Sequence, residues 1–296
     1  MRFSFWTGNS HPWAEILDAC SHAEATGWDG LWIADHFMPL AGPPDGPVHE
    51  AWSVLAALAA AVPRVRLGPL VCGNTYRNPA LLAKIAASVD QISGGRLVVG
   101  LGAGWQENEH LAYGFEYGTV KTRSERLEEA AAIVRSLLRN QTTSLSGAYY
   151  TVIDAPLEPK PANPDIPLLI GGGGEQRTLR TAARYADEWN VWGTPELLAA
   201  KMEVLDARCA EVDRDPGEIA RSAVALLVPG ELPEGNDFLA SRPTISGSVE
   251  QMVDTVGRYV QVGVDELVIP DFTLGSLDRR KDTLDMFMNE VVSAVR

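Results

Sequence analysis

Residues 76–109 read YRNPALLAKIAASVDQISGGRLVVGLGAGWQENE, and this stretch decides the fold. Asn78 followed by Pro79 is a capping residue ahead of proline at the first helical position, a favourable helix start. Leu81, Leu82, Ile85, Ala86, Val89 and Ile92 then recur at helical spacing, and Ser93-Gly94-Gly95 ends the helix. Leu97 to Leu101 is a short apolar run without polar alternation, as in a parallel strand buried on both faces. It opens into Gly102-Ala103-Gly104, where missing side chains let a flat ligand approach the backbone. The run is not a dinucleotide fingerprint, because G-x-G-x-x-G from Gly100 or Gly102 needs glycine where Trp105 or Glu107 stands.

The same helix-and-strand alternation extends in both directions. Strands are expected at 2–6, 31–34, 65–71, 97–101, 168–170, 187–192, 223–228 and 264–269, with helices between them and a last helix at 275–295. The spacing between the fourth and fifth strands exceeds one helix (123–139), leaving 114–122 and 144–154 as extra. The second of these reads as a hairpin around residues 147–150, lying over the mouth of the fold. Residues 229–244 form a polar, Pro/Gly-rich loop with the composition of a lid or a disordered segment. Eight strands alternating with eight helices predict an α/β chain forming a (β/α)8 TIM barrel, with insertions after strands 4 and 7. No break in composition divides it, so residues 1–296 read as one domain.

Composition narrows the function. A net charge of -14 disfavours nucleic acid or an anionic membrane as partner. Cys20, Cys72 and Cys209 are far apart and lack metal spacing, which suits a reduced, cytoplasmic setting. No basic-then-apolar leader follows Met1, and no apolar run is long enough to cross a bilayer. The five histidines show no ligand spacing, so no metal site is expected. A G-x-S-x-G nucleophile elbow is absent as well.

Chemistry in such a barrel belongs at the C-terminal strand ends. There the sequence places His11, Asp35-His36, the segment 72–74, the glycines and carboxylates of 102–109, Gly171 to Gly174, and Trp192. Few titratable groups and many glycines and aromatics suit a flat organic cofactor that carries the chemistry itself. His36 is the natural proton partner, with Asp35 able to orient it. The four glycines lead into a helix expected from Glu175, with Arg177 and Arg180 in its first turns, a pattern that suits phosphate. Trp6, Trp105, Trp189 and Trp192 are candidates for pocket walls.

With these residues placed, the chain resembles the bacterial-luciferase-like superfamily, in its branch of F420-dependent oxidoreductases. The blocks LWIADHF, RNPALLAKIAASVDQISGGRLVVGLGAGWQENEH, RSERLEEAAAIVRSLL and IGGGGEQRTLRTAARYADEWNVW carry the resemblance. It implies a barrel that pairs as a homodimer, binds coenzyme F420 in its mouth, and has a non-prolyl cis peptide at Leu70-Val71. By position it implies that Asp35 and His36 serve catalysis and flank the deazaflavin. Leu70, Val71, Asn74, Gly102, Gly104 and Asn108 become further cofactor contacts, and Gly172, Gly173, Gly174 and Arg177 the phosphate loop. The implied reaction is hydride exchange between F420 and a small, uncharged organic substrate. The alternatives are an FMNH2-dependent monooxygenase, with FMN as cofactor, and a non-catalytic F420-binding protein. One departure stands out: F420-dependent glucose-6-phosphate dehydrogenases place a catalytic glutamate where this chain has Trp105, which argues against a sugar phosphate.

Overall fold

Alternating side chains sort the strands of this chain into two apolar cores. Phe3 and Phe5, Leu31 and Ile33, and Leu267 and Ile269 point outward into a layer shared with the helices. Their neighbours Trp6, Trp32 and Val268, with Leu169, Val224 and Val98, fill the inside of a barrel. This is the two-faced burial that parallel strands require.

The computed structural model describes residues 1–40, 42–233 and 235–296. Ala41, in the loop after the second strand, and Glu234, in the expected lid, lie outside the described residues. The chain opens with β1 (Arg2–Trp6), α1 (Trp13–Ala25), β2 (Gly30–Ile33), α2 (Ala51–Ala61), β3 (Arg66–Pro69), β4 (Cys72–Gly73), α3 (Pro79–Ser93) and β5 (Val99–Gly102). It continues through α4 (Glu107–Tyr113), α5 (Val120–Arg139), β6 (Thr142–Ser146), β7 (Thr151–Pro156), β8 (Leu168–Gly171), α6 (Thr178–Tyr185), β9 (Glu188–Trp192) and α7 (Pro195–Ala210). It ends with β10 (Ala220–Val224), β11 (Leu226–Pro229), α8 (Asp237–Ala240), β12 (Thr244–Gly247), α9 (Val249–Gln261), β13 (Glu266–Pro270) and α10 (Leu277–Met286), which runs on through a π-helical segment (Phe287–Val292) into α11 (Ser293–Val295).

The main sheet runs β3-β2-β1-β13-β10-β9-β8-β5-β4, and its strand pairs are parallel. β3 and β4 are two halves of one staggered strand, joined through the cis peptide Leu70-Val71. A bridge from Leu67 to Leu97, with Val98 N–H donating to the Leu67 carbonyl at 2.8 Å, closes the ring. The result is a (β/α)8 barrel.

Several local expectations are corrected. Leu81 and Ile92 of α3 are exposed, and the buried stripe is carried by Leu82, Ala83, Ala86, Ala87 and Val89. The hairpin β6–β7 packs on the flank of α5 and not over the mouth. Glu129 of α5 accepts the Ala148, Tyr149 and Tyr150 amides at 2.7, 3.0 and 3.0 Å, which holds the turn there. The expected strand 223–228 spans two elements: β10 stays in the barrel, while β11 leaves it to pair with β12. α6 begins at Thr178 and not at Glu175, so three residues separate Gly174 from the helix. α4 was invisible to periodicity because its two buried residues, Glu109 and His110, are both polar.

The floor of the barrel is ionic. Arg66 places one guanidinium nitrogen 2.7 Å from each carboxylate oxygen of Glu188 and another 3.1 Å from Glu266. Ser4 and the Trp32 indole donate to Glu266 at 2.6 and 2.9 Å. Burial pushes the Glu266 carboxyl up, but Arg66 and these donors outweigh it and hold the group below its usual range. Burial, with Glu266 beside it, keeps Glu188 above its usual range despite Arg66.

Removing this cation would leave the two buried carboxylates only the part-exposed Arg2 as a cationic partner. Arg66→Met is therefore expected to cost about 3–5 kcal/mol in denaturant-induced unfolding, and adding Glu188→Gln and Glu266→Gln to it should recover part of the loss.

Candidate active site

The strand ends open into a cavity of about 1430 Å³. One wall is built from Leu70, Val71, Gly102, Gly104, Gly171 and Gly172. The glycines are needed there: a Cβ on Gly102 would lie 2.5 Å from a Val71 methyl carbon, and one on Gly171 2.8 Å from another. Val71 thus seats between two bare strands and gives, with Leu70, an apolar shelf at the end of β3. The facing aromatic wall comes from Trp6, Trp192 and Phe272, with ring centroids 5.3–6.4 Å apart. Phe238 and the segment 240–243 line the remaining edge, so the loop expected to act as a lid does border the cavity.

Glu109 is the buried hub of the mouth. Its carboxylate accepts from His36 Nδ1 at 2.7 Å, from the Phe37 and Met38 amides at 2.8 and 3.1 Å, and from the Tyr76 hydroxyl. Burial pushes this carboxyl up, but the His36 and Tyr76 hydrogen bonds outweigh it and hold the group below its usual range. An ionised carboxylate only accepts, so His36 carries a proton on Nδ1 and leaves Nε2 as the nitrogen that exchanges one. The Trp105 ring meets the imidazole edge-on at 5.6 Å between centroids.

Asp35 does not orient His36, contrary to the sequence expectation. It is buried and salt-bridged to Arg77 at 2.6 and 3.1 Å, and it also accepts from the Cys72 thiol at 2.9 Å. Successive residues leaving a strand point to different sides, which sends Asp35 into the wall and His36 toward Glu109. Arg77 further bridges to Glu50, the residue that caps α2.

Of the other predicted site residues, Leu70, Val71, Gly102, Gly104 and Gly172 border the cavity with Asp35 and His36. Asn74 is buried behind the wall and donates to the Gly102 carbonyl at 3.1 Å. Asn108 is exposed on α4. Gly173 and Gly174 stand just beyond the cavity, and their amides meet no protein acceptor among the described residues. Arg177 is paired with Glu125 at 3.0 Å and borders a separate surface depression with Arg180 and Arg208. Trp189 is no pocket wall: it is fully buried in the outer core and donates its indole N–H to the Gly172 carbonyl. Sequence reasoning missed Glu109 as the partner of His36, along with Tyr76 and Arg77, since residues 73 positions apart carry no shared periodicity. It also missed Asp271, which faces the cavity beside His11.

A family model described as luciferase-like monooxygenase matches residues 1–235. The F420-dependent glucose-6-phosphate dehydrogenase of Microbacterium testaceum (strain StLB037) is 32% identical, over 87% of this chain and 87% of that one. The enzyme of the same name from Amycolatopsis mediterranei (strain U-32) is 32% identical over 58% of this chain, and the match spans half of that relative's length. A solved structure described as an F420-dependent secondary alcohol dehydrogenase with an F420-acetone adduct has the same fold, with a TM-score of 0.86 at 20% identity. It covers 100% of this chain and 99% of that one. The chain belongs to the luciferase-like family, in its F420-dependent oxidoreductase branch.

Because Glu109 is depressed in the folded protein, its stabilisation is present above its ordinary value of 4.5 and is lost as pH falls through the folded value. Glu109→Gln is expected to cost about 1–3 kcal/mol at neutral pH, with the gap from the parent protein closing in acid. Unfolding by guanidinium chloride across a pH series measures this.

Proposed function

We propose that the protein is an F420-dependent oxidoreductase that exchanges hydride between the deazaflavin and a small, uncharged organic substrate. The observation carrying this reading is the shelf of Leu70 and Val71 between bare glycine strands, with the Glu109-held imidazole of His36 bordering the same cavity. F420, when bound, supplies hydride exchange at the C5 position of its deazaflavin. The chain supplies the rest. The shelf and Gly102, Gly104 and Gly172 offer a flat apolar seat, and the free amides of Gly173 and Gly174 suit a phosphate. His36 takes or returns the substrate proton at Nε2, and Glu109 holds the ring and compensates its charge. Asp35 acts one layer back, keeping Arg77 and the strand end in place.

The lining also bears on the substrate. Among the described residues its only arginine or lysine is Arg242, which gives the two negative charges of a sugar phosphate poor compensation. An alcohol or ketone fits better. The reading takes residues 1–296 as one domain in a cytoplasmic homodimer. Exposed apolar side chains on α4 and at the start of α5, Leu111, Tyr113 and Val120, offer a surface for the second copy.

Calorimetric titration with F420 and FMN side by side tests the cofactor. F420 is expected to bind at micromolar Kd or tighter, about -8 kcal/mol, and FMN more weakly. Tighter FMN binding with no F420 binding reverses the reading toward a monooxygenase.

His36→Ala is expected to lower F420 reduction by isopropanol, followed by deazaflavin absorbance, by about 10²–10⁴-fold. The same change removes one donor from the buried Glu109, so unfolding experiments should also show a loss of about 1–3 kcal/mol.

A further inference from the structure

A second recess adjoins the glycine loop, outside the barrel mouth. It holds about 370 Å³ and is lined by Glu128, Gln176, Arg177, Arg180 and Arg208. Three arginines around one recess run against the net charge of -14 that the chain carries. Glu128, its one lining carboxylate among the described residues, is engaged by Arg184 at 2.5 Å. Arg177 meets Glu125 at 3.0 Å, and Arg208 meets Glu211 at 2.5 Å. Arg180 is exposed on α6 and has no partner among the described residues.

The recess and the cavity share one loop. Gly171, Gly172 and Thr178 border the cavity, whereas Gln176 and Arg177 border the recess. Arg208 of α7 donates Nε to the Glu175 carbonyl at 3.1 Å, which holds that side chain against the loop. A ligand whose phosphate rests on the Gly173 and Gly174 amides would therefore meet these arginines next as it leaves the barrel.

F420 continues beyond its phosphate as a lactyl group bearing γ-linked glutamates, each with a carboxylate. An acidic protein repels such a chain unless cations meet it locally. Arginine suits the task, since its planar fork pairs with a carboxylate through two parallel N–H donors. We propose that the recess is the site of the glutamyl tail of F420, with Arg180 and Arg208 as its principal contacts. The inference rests on the F420 reading, and the test separates the two. Pairs this exposed contribute modestly one by one and are screened by salt, so the tail adds affinity without deciding it.

Calorimetric titrations compare F420 carrying several glutamates with F420 that ends at the lactyl group. The parent protein is expected to bind the tailed form about tenfold more tightly at low ionic strength, and to lose most of that preference at about 1 M sodium chloride. Arg180→Gln, at an exposed and unpaired side chain, should cut the preference to about threefold, and adding Arg208→Gln should abolish it. The form without glutamates should keep its affinity within about twofold in both variants. Arg64→Gln, an exposed change just before β3 at the opposite end of the barrel, should leave both forms unaffected and so separates local contact from overall charge. Equal affinity of the parent protein for the two forms overturns the proposal, and so does a preference that survives the double variant. Free γ-linked triglutamate is titrated alongside. If it binds in a way that needs Arg180 and Arg208 while the two forms of F420 bind equally, the recess belongs to a separate acidic peptide and the tail assignment fails. Binding of F420 without regard to its tail leaves the cofactor reading standing, whereas failure of both forms to bind the parent protein ends that reading and the tail site with it.

Discussion

Arg66 of β3 joins carboxylates from β9 and β13 on the floor of the barrel. A closed parallel barrel brings the first residues of its strands into a ring, where inward side chains leave water while still near polar backbone. Glu188 and Glu266 cannot both stay charged there unaided. The Arg66 guanidinium reaches both, Arg2 adds a second at 3.3 Å from Glu266 and 3.9 Å from Glu188, and Ser4 and Trp32 complete the shell of Glu266. Above this polar floor the interior is apolar, with Trp32, Val98, Leu169, Val224 and Val268 filling it. The open space is therefore confined to the top, where the strands end.

The mouth repeats the same logic with a different aim. Glu109 and Asp35 are both buried carboxylates, and each is surrounded by donors from other loops. Asp35 is matched by Arg77, a permanent cation, so this pair holds structure. Glu109 is matched by a histidine, whose second ring nitrogen Glu109 does not engage.

Bare backbone is the second resource of the site. Val71 fits only because Gly102 and Gly171 have no Cβ. The cost falls on strand propensity, since glycine inside a strand weakens it, and pairing on both sides within a closed barrel offsets this. The facing wall is aromatic, where the strand-end residues Trp6 and Trp192 stand with Phe272 just beyond β13.

Much of this was legible in the chain itself. Asn78-Pro79, Gly94 and the apolar run after it marked α3 and β5, because caps and buried strands are local properties. Counting such units predicted the barrel, and a barrel places chemistry at strand ends, which singled out His36 and His11. Tertiary structure alone decided which carboxylate each histidine would meet. Asp35 is adjacent in sequence and chemically suited, yet the pleat turns it toward Arg77, while Glu109 arrives from α4. α4 itself escaped notice because its inward face is Glu109 and His110 rather than apolar. Periodicity reports where oil is buried, and a site made of buried polar groups from separate strands leaves no period to read.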